Sequence, residues 1–544
     1  MNETQPTRPT AESERYRNAG HWEGVTFGSS LRRWAATRPG SVALVDGDRR
    51  WTYAELDREA DRVARGLRGL GLGQGDRVVV QLPNCAEFVL IWFGLQRLGA
   101  VPVHAMPGHR RTEISHLVRT SRATACVITD RHARFDHREL LREVLADHES
   151  SGSLRHVVVV GETGRHEDFV RFDELREAGN GQEPLPADGG ADSGDLALLL
   201  LSGGTTGLPK LIPRTHDDYS YNVRASADLC AFDPGTIYLA VLPIAFNFTL
   251  SCPGVLGTLF RGGTVVVSPD PSPQTAFALI EHEGVTVTSL SPPLVPYWMD
   301  EAATGLSDIS SLAVVQVGGA RLPDDLARRL GPALGVTVQQ VFGMAEGLIN
   351  LTRLDDPEEL VCSTQGRPIS PDDEVLVVDA EGEPVPDGAP GELLTRGPYT
   401  LRGYYRAEEH NRTAFTEDGY YRTGDLVRHL PSGHLVVVGR IKDQINRGGE
   451  KIGATEVEEQ LLTHPSITSA ALIGVPDERW GERSVAFVMC AGSAPSTREL
   501  AAFLRERGMA EHKAPDEVVE VGHMPLTAVG KIDKTALARQ LPRA

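Results

Sequence analysis

The chain has 544 residues, with 55 Lys and Arg against 74 Asp and Glu, a formal charge of −19. That balance argues against general binding to nucleic acid or to an anionic membrane surface, and the length exceeds what a single core needs. The six cysteines (Cys85, Cys126, Cys230, Cys252, Cys362, Cys490) are scattered without a CxxC pair, which suggests neither a zinc site nor a disulfide framework and fits a reduced, cytoplasmic setting.

Residues 1–25 begin polar, lack an apolar signal core and read as a flexible N-terminal arm. No apolar run is long enough to span a bilayer. Thr52-Tyr-Ala-Glu55 is a capping box that opens a predicted helix. Gly69, Gly71, Gly73 and Gly75 end it as a helix-to-strand turn, without the GxGxxG spacing of a dinucleotide loop. Strand-like runs at 78–82, 156–160, 196–201, 264–268 and 313–317 then alternate with helical ones such as 86–98, which predicts α/β layers with largely parallel sheets. Residues 178–195, rich in Gly, Asp, Glu and Pro, read as a linker or surface loop. Past about residue 370, short strands at 374–378, 391–395 and 434–438 between Gly/Asp/Pro turns predict a β-rich subdomain. Helices at 455–462 and 496–507 around a strand at 467–473 predict a separate, smaller α/β lid.

The strand predicted at 196–201 delivers Ser202-Gly-Gly-Thr-Thr-Gly-Leu-Pro-Lys210. Gly203, Gly204 and Gly207 let backbone N–H groups converge on one anion. Ser202, Thr205 and Thr206 add donors, and Lys210 adds a point charge. This is a phosphate-gripping loop, although Lys210 follows Gly207 by three residues and precedes Leu211, unlike the usual P-loop.

The loop heads an ordered series: Phe342-Gly-Met-Ala-Glu346, Tyr421-Arg-Thr-Gly-Asp425, Gly439-Arg-Ile-Lys-Asp443, Asn446-Arg-Gly-Gly-Glu-Lys-Ile452 and Gly530-Lys531. In these residues, and over roughly 25–540, the chain resembles the adenylate-forming superfamily of acyl-CoA synthetases, peptide-synthetase adenylation domains and beetle luciferase. The resemblance implies an N-terminal core over 26–441, its β-rich subdomain at about 370–441, a mobile C-terminal α/β lid over 443–544 and a hinge at Lys442. It implies that ATP is attacked by a carboxylate while pyrophosphate leaves, so that positive charge and N–H donors must offset the repulsion of two anions. The glycine loop would hold the leaving phosphates, and Glu346 would hold Mg2+, which bridges phosphate oxygens. Gly318, Gly319 and Ala320, with Val341, Gly343 and Met344, would form the adenine slot. Asp425 would take the ribose hydroxyls, and Arg440 the ribose or α-phosphate. Lys531 would bridge the substrate carboxylate and the α-phosphate, then withdraw as the lid turns about Lys442 and brings Gly448, Gly449 and Glu450 to the site as a pantetheine tunnel.

Within that superfamily the stretches 210–219 and 342–350 look most like stand-alone aryl-acid activating enzymes of siderophore pathways. These adenylate 2,3-dihydroxybenzoate or salicylate and load it onto a phosphopantetheinylated aryl carrier protein. The expected acid pocket is Phe246, Asn247, Phe248, Ser251, Cys252 and Ile349. Asn247 stands where amino-acid adenylation domains carry an Asp for the substrate ammonium, and it has no charge to offer. Cys252 in place of the Ser of dihydroxybenzoate enzymes, and Ile349 in place of a smaller Val, favour salicylate or a methylated salicylate. Phe246 replaces a usual His and Phe248 a usual Tyr, which leaves a hydroxypicolinate or aminobenzoate open. An aryl-CoA ligase is the competing enzyme reading. A non-catalytic nucleotide-binding homologue is disfavoured because Lys531, Glu346 and Asp425 are all present. His216 is expected to make a local structural hydrogen bond.

Overall fold

The computed structural model describes residues 10–147, 152–181, 184–202, 208–448, 450–477, 479–527 and 530–541. Two large sheets make the core. One has nine strands, ordered Arg367–Pro368, Ile349–Leu351, Thr337–Gly343, Val314–Gly318, Val287–Leu290, Ile237–Ala240, Thr264–Val267, Val42–Asp46 and Arg49–Thr52. Its interior pairings are parallel and only its outer strands antiparallel. The other has seven strands, parallel except where Leu196–Leu201 meets Leu211–Thr215. Strands covered on both faces read as unbroken apolar runs, as Leu196–Leu201 does with its four central leucine and alanine residues buried. The helix Ala86–Leu98 is apolar nearly all round and almost wholly buried, the pattern of a helix inside a large core. A Cβ on its Gly94 would fall 2.5 Å from Val63 Cγ1, so glycine permits that helix contact. The capping box at Thr52 and Glu55 forms as the spacing predicts.

A four-stranded antiparallel sheet, Glu374–Val378, Pro390–Arg396, Tyr421–His429 and Leu435–Arg440, is the expected β-rich part. The short helix Ile441–Asp443 then leads into a five-stranded sheet built on the long hairpin Ile467–Asp477 and Gly481–Cys490. The helices Ala454–Leu462 and Thr497–Glu506 pack on it.

One expectation is corrected. The described part of the N-terminal arm is docked, not loose. Residues Thr10–Asn18 form a helix, and Tyr16 and Trp22 are buried. Trp22 Nε1 donates to the carbonyl of Pro398 at 3.1 Å. Arg17 pairs with Asp217 at 3.3 Å, and Arg402 pairs with Glu12. Two large aromatic rings removed from water outweigh the polarity of the rest.

Candidate active site

The strand Thr337–Gly343 runs into a tight turn that carries Glu346. Met344 N–H donates to the carbonyl of Leu348 at 3.1 Å, and Leu401 N–H to that of Glu346 at 2.8 Å. Buried Arg214 holds the turn from below, with Nη1 donating to the carbonyl of Ala345 at 3.0 Å and Nε to Asp218 at 2.8 Å. The Glu346 carboxylate is buried and accepts from the Tyr404 hydroxyl at 2.9 Å; that hydroxyl is itself 2.8 Å from the Tyr421 hydroxyl. Burial pushes Glu346 above the usual carboxylate range, against the pull of Tyr404 and Arg440.

Asp425 lies across the antiparallel ladder from Arg440, with Arg440 Nε 2.7 Å from its Oδ1. Burial raises this carboxyl too, and Arg440 and Lys531 work against it. Lys531, carried on the last turns of the lid, lies half-buried between these groups. Burial lowers its ammonium to about 8, with Arg440 adding to the effect and Asp425 and Glu346 opposing it. The lysine reaches the floor of the core: its Cε is 4.0 Å from where a Cβ on Gly319 would stand, and Phe246 Cε1 is 3.9 Å from the same point. A Cβ on Gly318 would fall 2.8 Å from the Val341 carbonyl and 3.0 Å from Phe248 Cε1, so this floor requires glycine. Ala320 is exposed at its edge, and Gly343 faces Ile349.

Ser202 and Lys210 close the mouth of the glycine loop. Lys210 N–H donates to Ser202 Oγ at 3.0 Å, and Ser202 N–H to the carbonyl of Lys210 at 2.9 Å. Lys210 Nζ is 5.8 Å from the centre of the Tyr404 ring, on the side of Glu346. The loop residues Gly203, Gly204, Thr205, Thr206 and Gly207 lie outside the described residues, as does Gly449.

The acid pocket residues meet on the short helix Asn247–Ser251 and its flanks. Asn247 Oδ1 accepts twice, from the Tyr219 hydroxyl at 2.8 Å and from Ser251 Oγ at 3.1 Å. Its Nδ2 touches only the Cys252 sulfur, at 3.4 Å, a weak partner. Asn247 therefore presents an N–H donor. Burial pushes the Cys252 thiol up to about 12, so it stays neutral. Cys252, Phe248, Val341 and Ile349 share one apolar cluster. Buried His104 steadies the approach through Nδ1, 3.0 Å from the Ala245 carbonyl.

Other expected residues sit elsewhere. Gly448 packs on Trp480 and Glu450 is exposed on the lid surface. Lys442 lies in the short connection between the two smaller sheets. His216 Nδ1 accepts from Phe27 N–H at 3.3 Å and burial lowers it to about 4, a structural bond to a residue far along the chain rather than the local one expected. Sequence reasoning missed Arg214, Tyr219, His104, Tyr404 and Tyr421. Each acts through contacts that no spacing rule encodes.

Among the described residues no group of three or more His, Cys, Asp and Glu could hold a metal ion. A divalent ion here would rest on the single carboxylate of Glu346, whose second oxygen is left over by Tyr404. Its remaining ligands would be phosphate oxygens and water, the habit of Mg2+ at nucleotide sites.

Residues 31–405 match the AMP-binding enzyme family, and residues 456–531 match the AMP-binding enzyme C-terminal domain. The chain is 52% identical over 529 residues to a 2,3-dihydroxybenzoate-AMP ligase of Bacillus subtilis (strain 168), covering 97% of this chain and 96% of that protein. It is 49% identical over 539 residues to a salicyl-AMP ligase / salicyl-S-ArCP synthetase of Mycobacterium tuberculosis, covering 98% and 94%. The apo structure of Mycobacterium smegmatis MbtA superposes with a TM-score of 0.75 at 48% identity over 99% of both chains.

Proposed function

The chain belongs to the AMP-binding enzyme family as an ATP-dependent aryl-acid AMP ligase, and we propose that salicylate is its preferred acid and a carrier-protein thiol its acceptor. A carboxylate oxygen of the acid attacks the α-phosphorus of ATP, the bond to the bridging oxygen breaks and pyrophosphate leaves. The thiol sulfur then attacks the acyl carbon, and AMP leaves with the electron pair of the acyl–oxygen bond.

The observation that carries the choice of acid is the state of Asn247. It is buried and neutral, its oxygen is spent on Tyr219 and Ser251, and only its N–H2 remains. An α-ammonium would find a donor facing it. A 2-hydroxyl suits the site, because it donates to its own carboxylate and accepts from Asn247. A 3-hydroxyl would point at a neutral thiol and an isoleucine, and a buried polar group without a good partner costs about 1–3 kcal/mol.

In this reading Lys531 offsets the charge of the carboxylate and α-phosphate, Asp425 and Arg440 hold the ribose, and Lys210 with its loop holds the leaving phosphates. Glu346 holds Mg2+, which would neutralise phosphate charge. Gly448 to Glu450 receive the pantetheine arm in the second orientation of the lid. Lys442 is the hinge between core and lid, with the boundaries at 26, 441 and 443. No described helix is long and apolar enough to cross a membrane, and the proposed compartment is the cytoplasm, where ATP and reduced thiols coexist.

Acid-dependent pyrophosphate exchange tests this. Salicylate should exceed 2,3-dihydroxybenzoate in kcat/KM, and Cys252→Ser should narrow the ratio by about tenfold or more, further with Ile349→Val. Acyl transfer to a carrier domain and to coenzyme A, measured side by side, identifies the acceptor. An unmoved acid ratio in wild type, Cys252→Ser and the double variant would remove the salicylate assignment and leave a heteroaryl acid read by Phe246.

A further inference from the structure

The wall of the acid pocket is held from a distance. Ile349 begins a three-residue outer strand, and its backbone N–H donates to the Tyr399 hydroxyl at 3.2 Å, fifty residues away. Its carbonyl accepts from Ile369 N–H at 3.0 Å. The Tyr399 hydroxyl donates onward to Asp373 Oδ2 at 2.6 Å, and that oxygen also accepts from Ser370 N–H at 3.2 Å. Gly397 lets the carboxyl sit tight, since a Cβ there would fall 2.3 Å from Asp373 Oδ1.

The N-terminal segment closes over this chain of contacts. Trp22 Nε1 bonds the carbonyl of Pro398, the residue before Tyr399, at 3.1 Å. The His21 ring lies 4.5 Å from that of Tyr221, which lies 5.9 Å from that of Tyr399. His21 Nε2 is 2.5 Å from Asp372 Oδ2, and the Tyr221 hydroxyl donates to Ser370 Oγ at 2.7 Å. Tyr399 is fully buried, and a close-packed interior passes on a displacement of a few tenths of an ångström.

We propose that Tyr399 is a positioning residue for the acid pocket, and that the docked segment 10–25 is the brace that holds Tyr399 in place. Tyr399 touches the backbone of Ile349 and not the reacting atoms; it fixes how far the Ile349 side chain enters the space for the aryl ring. The inference rests on the reading that Ile349 faces position 3 of an aryl acid.

The test is steady-state exchange with salicylate and 3-methylsalicylate, with ATP varied separately, and an unfolding midpoint for each protein. Tyr399→Phe keeps the ring and removes the hydroxyl. It should raise the acid KM by about tenfold and shift the ratio of the two acids, with the ATP KM and kcat within about twofold. Trp22→Phe should move the same two readouts in the same direction by a smaller factor. Asp373→Asn keeps an acceptor for Tyr399 and should hold the acid KM near wild type, while Asp373→Ala should raise it. An unmoved acid KM and acid ratio in Tyr399→Phe overturns the proposal. So does a joint rise in both KM values with a fall in kcat, the signature of general loosening. If Tyr399→Phe does not fold, Trp22→Phe decides by the same readouts. If the wild type activates a carboxylic acid but no aryl acid, the reading of the substrate fails, while the split between acid and ATP KM is still read with the acid it takes.

Discussion

At the scale of residues, Lys531 sits among two buried carboxylates, Asp425 and Glu346, and two cations, Arg440 and Lys442. Its ammonium is lowered to about 8 because loss of water costs more than the carboxylates return. The charged form, which offsets the substrate carboxylate, is full below pH 8 and is lost as pH rises through it. In the free enzyme kcat/KM for exchange should therefore fall above about pH 8. Lys531→Ala should lower exchange by about 10²–10³ and abolish that fall, while sparing thiol transfer from a preformed adenylate. Equal losses in both half-reactions would separate Lys531 from the first step. Glu346, Asp425, Arg440 and Lys531 were legible because each stands in a short motif in a fixed order. Tyr404 and Arg214 were not, because what makes them matter is one hydrogen bond each to the Glu346 turn, from positions 58 and 131 residues distant in sequence.

At the scale of elements, the core elements that the sequence placed, such as 78–82, 86–98, 264–268 and 313–317, lie within about one residue of those observed, and Leu196–Leu201 and Glu374–Val378 fall where the sequence puts them. The docked N-terminal segment escaped that reading. Its helix Thr10–Asn18 is polar apart from Tyr16, and its partners, such as Pro398, lie far along the chain. The lid helix Ala454–Leu462 shows another contact without a local signature. Its Glu459 forms an ion pair with Arg321, just past the Gly318–Ala320 floor, and Arg321 also donates to Asp324 at 2.9 Å. Burial pushes Glu459 up to about 7, against the pull of Arg321. Removing one partner of a partly buried pair leaves the other without its countercharge. Arg321→Ala should therefore disfavour the orientation that delivers Lys531, slowing adenylation by about tenfold while transfer from supplied adenylate holds or rises. Rapid-quench measurement of the two half-reactions decides it, and a loss confined to transfer would reverse the assignment of this contact.

At the scale of the whole molecule, the proposed two-step reading asks one lysine near the chain end to be at the centre for the first step and away from it for the second. The structure has Lys531 in and the Gly448 turn out, against Trp480. Two sheets flank the connection: Leu435–Arg440 ends one and Gln444–Arg447 starts the other, with only Ile441–Asp443 between them. The proposed rotation of the lid would have few backbone angles available to absorb it, and Lys442 is the middle residue of that connection. A smaller domain after the core was legible from the helix–strand–helix pattern at 455–507 and from the motif series; the seating of the lid was not, since it depends on contacts such as Gly530 against Ser291, 3.2 Å from a Cβ position to Oγ. Proline at 442 fixes φ and removes the freedom the rotation needs. Lys442→Pro should leave adenylate formation close to wild type and slow acyl transfer by about one to two orders of magnitude. Single-turnover formation of the adenylate, followed by addition of the acceptor thiol, reads the two steps on one sample. Normal transfer in that variant would move the hinge off Lys442, to Ile441 or Asp443 on either side.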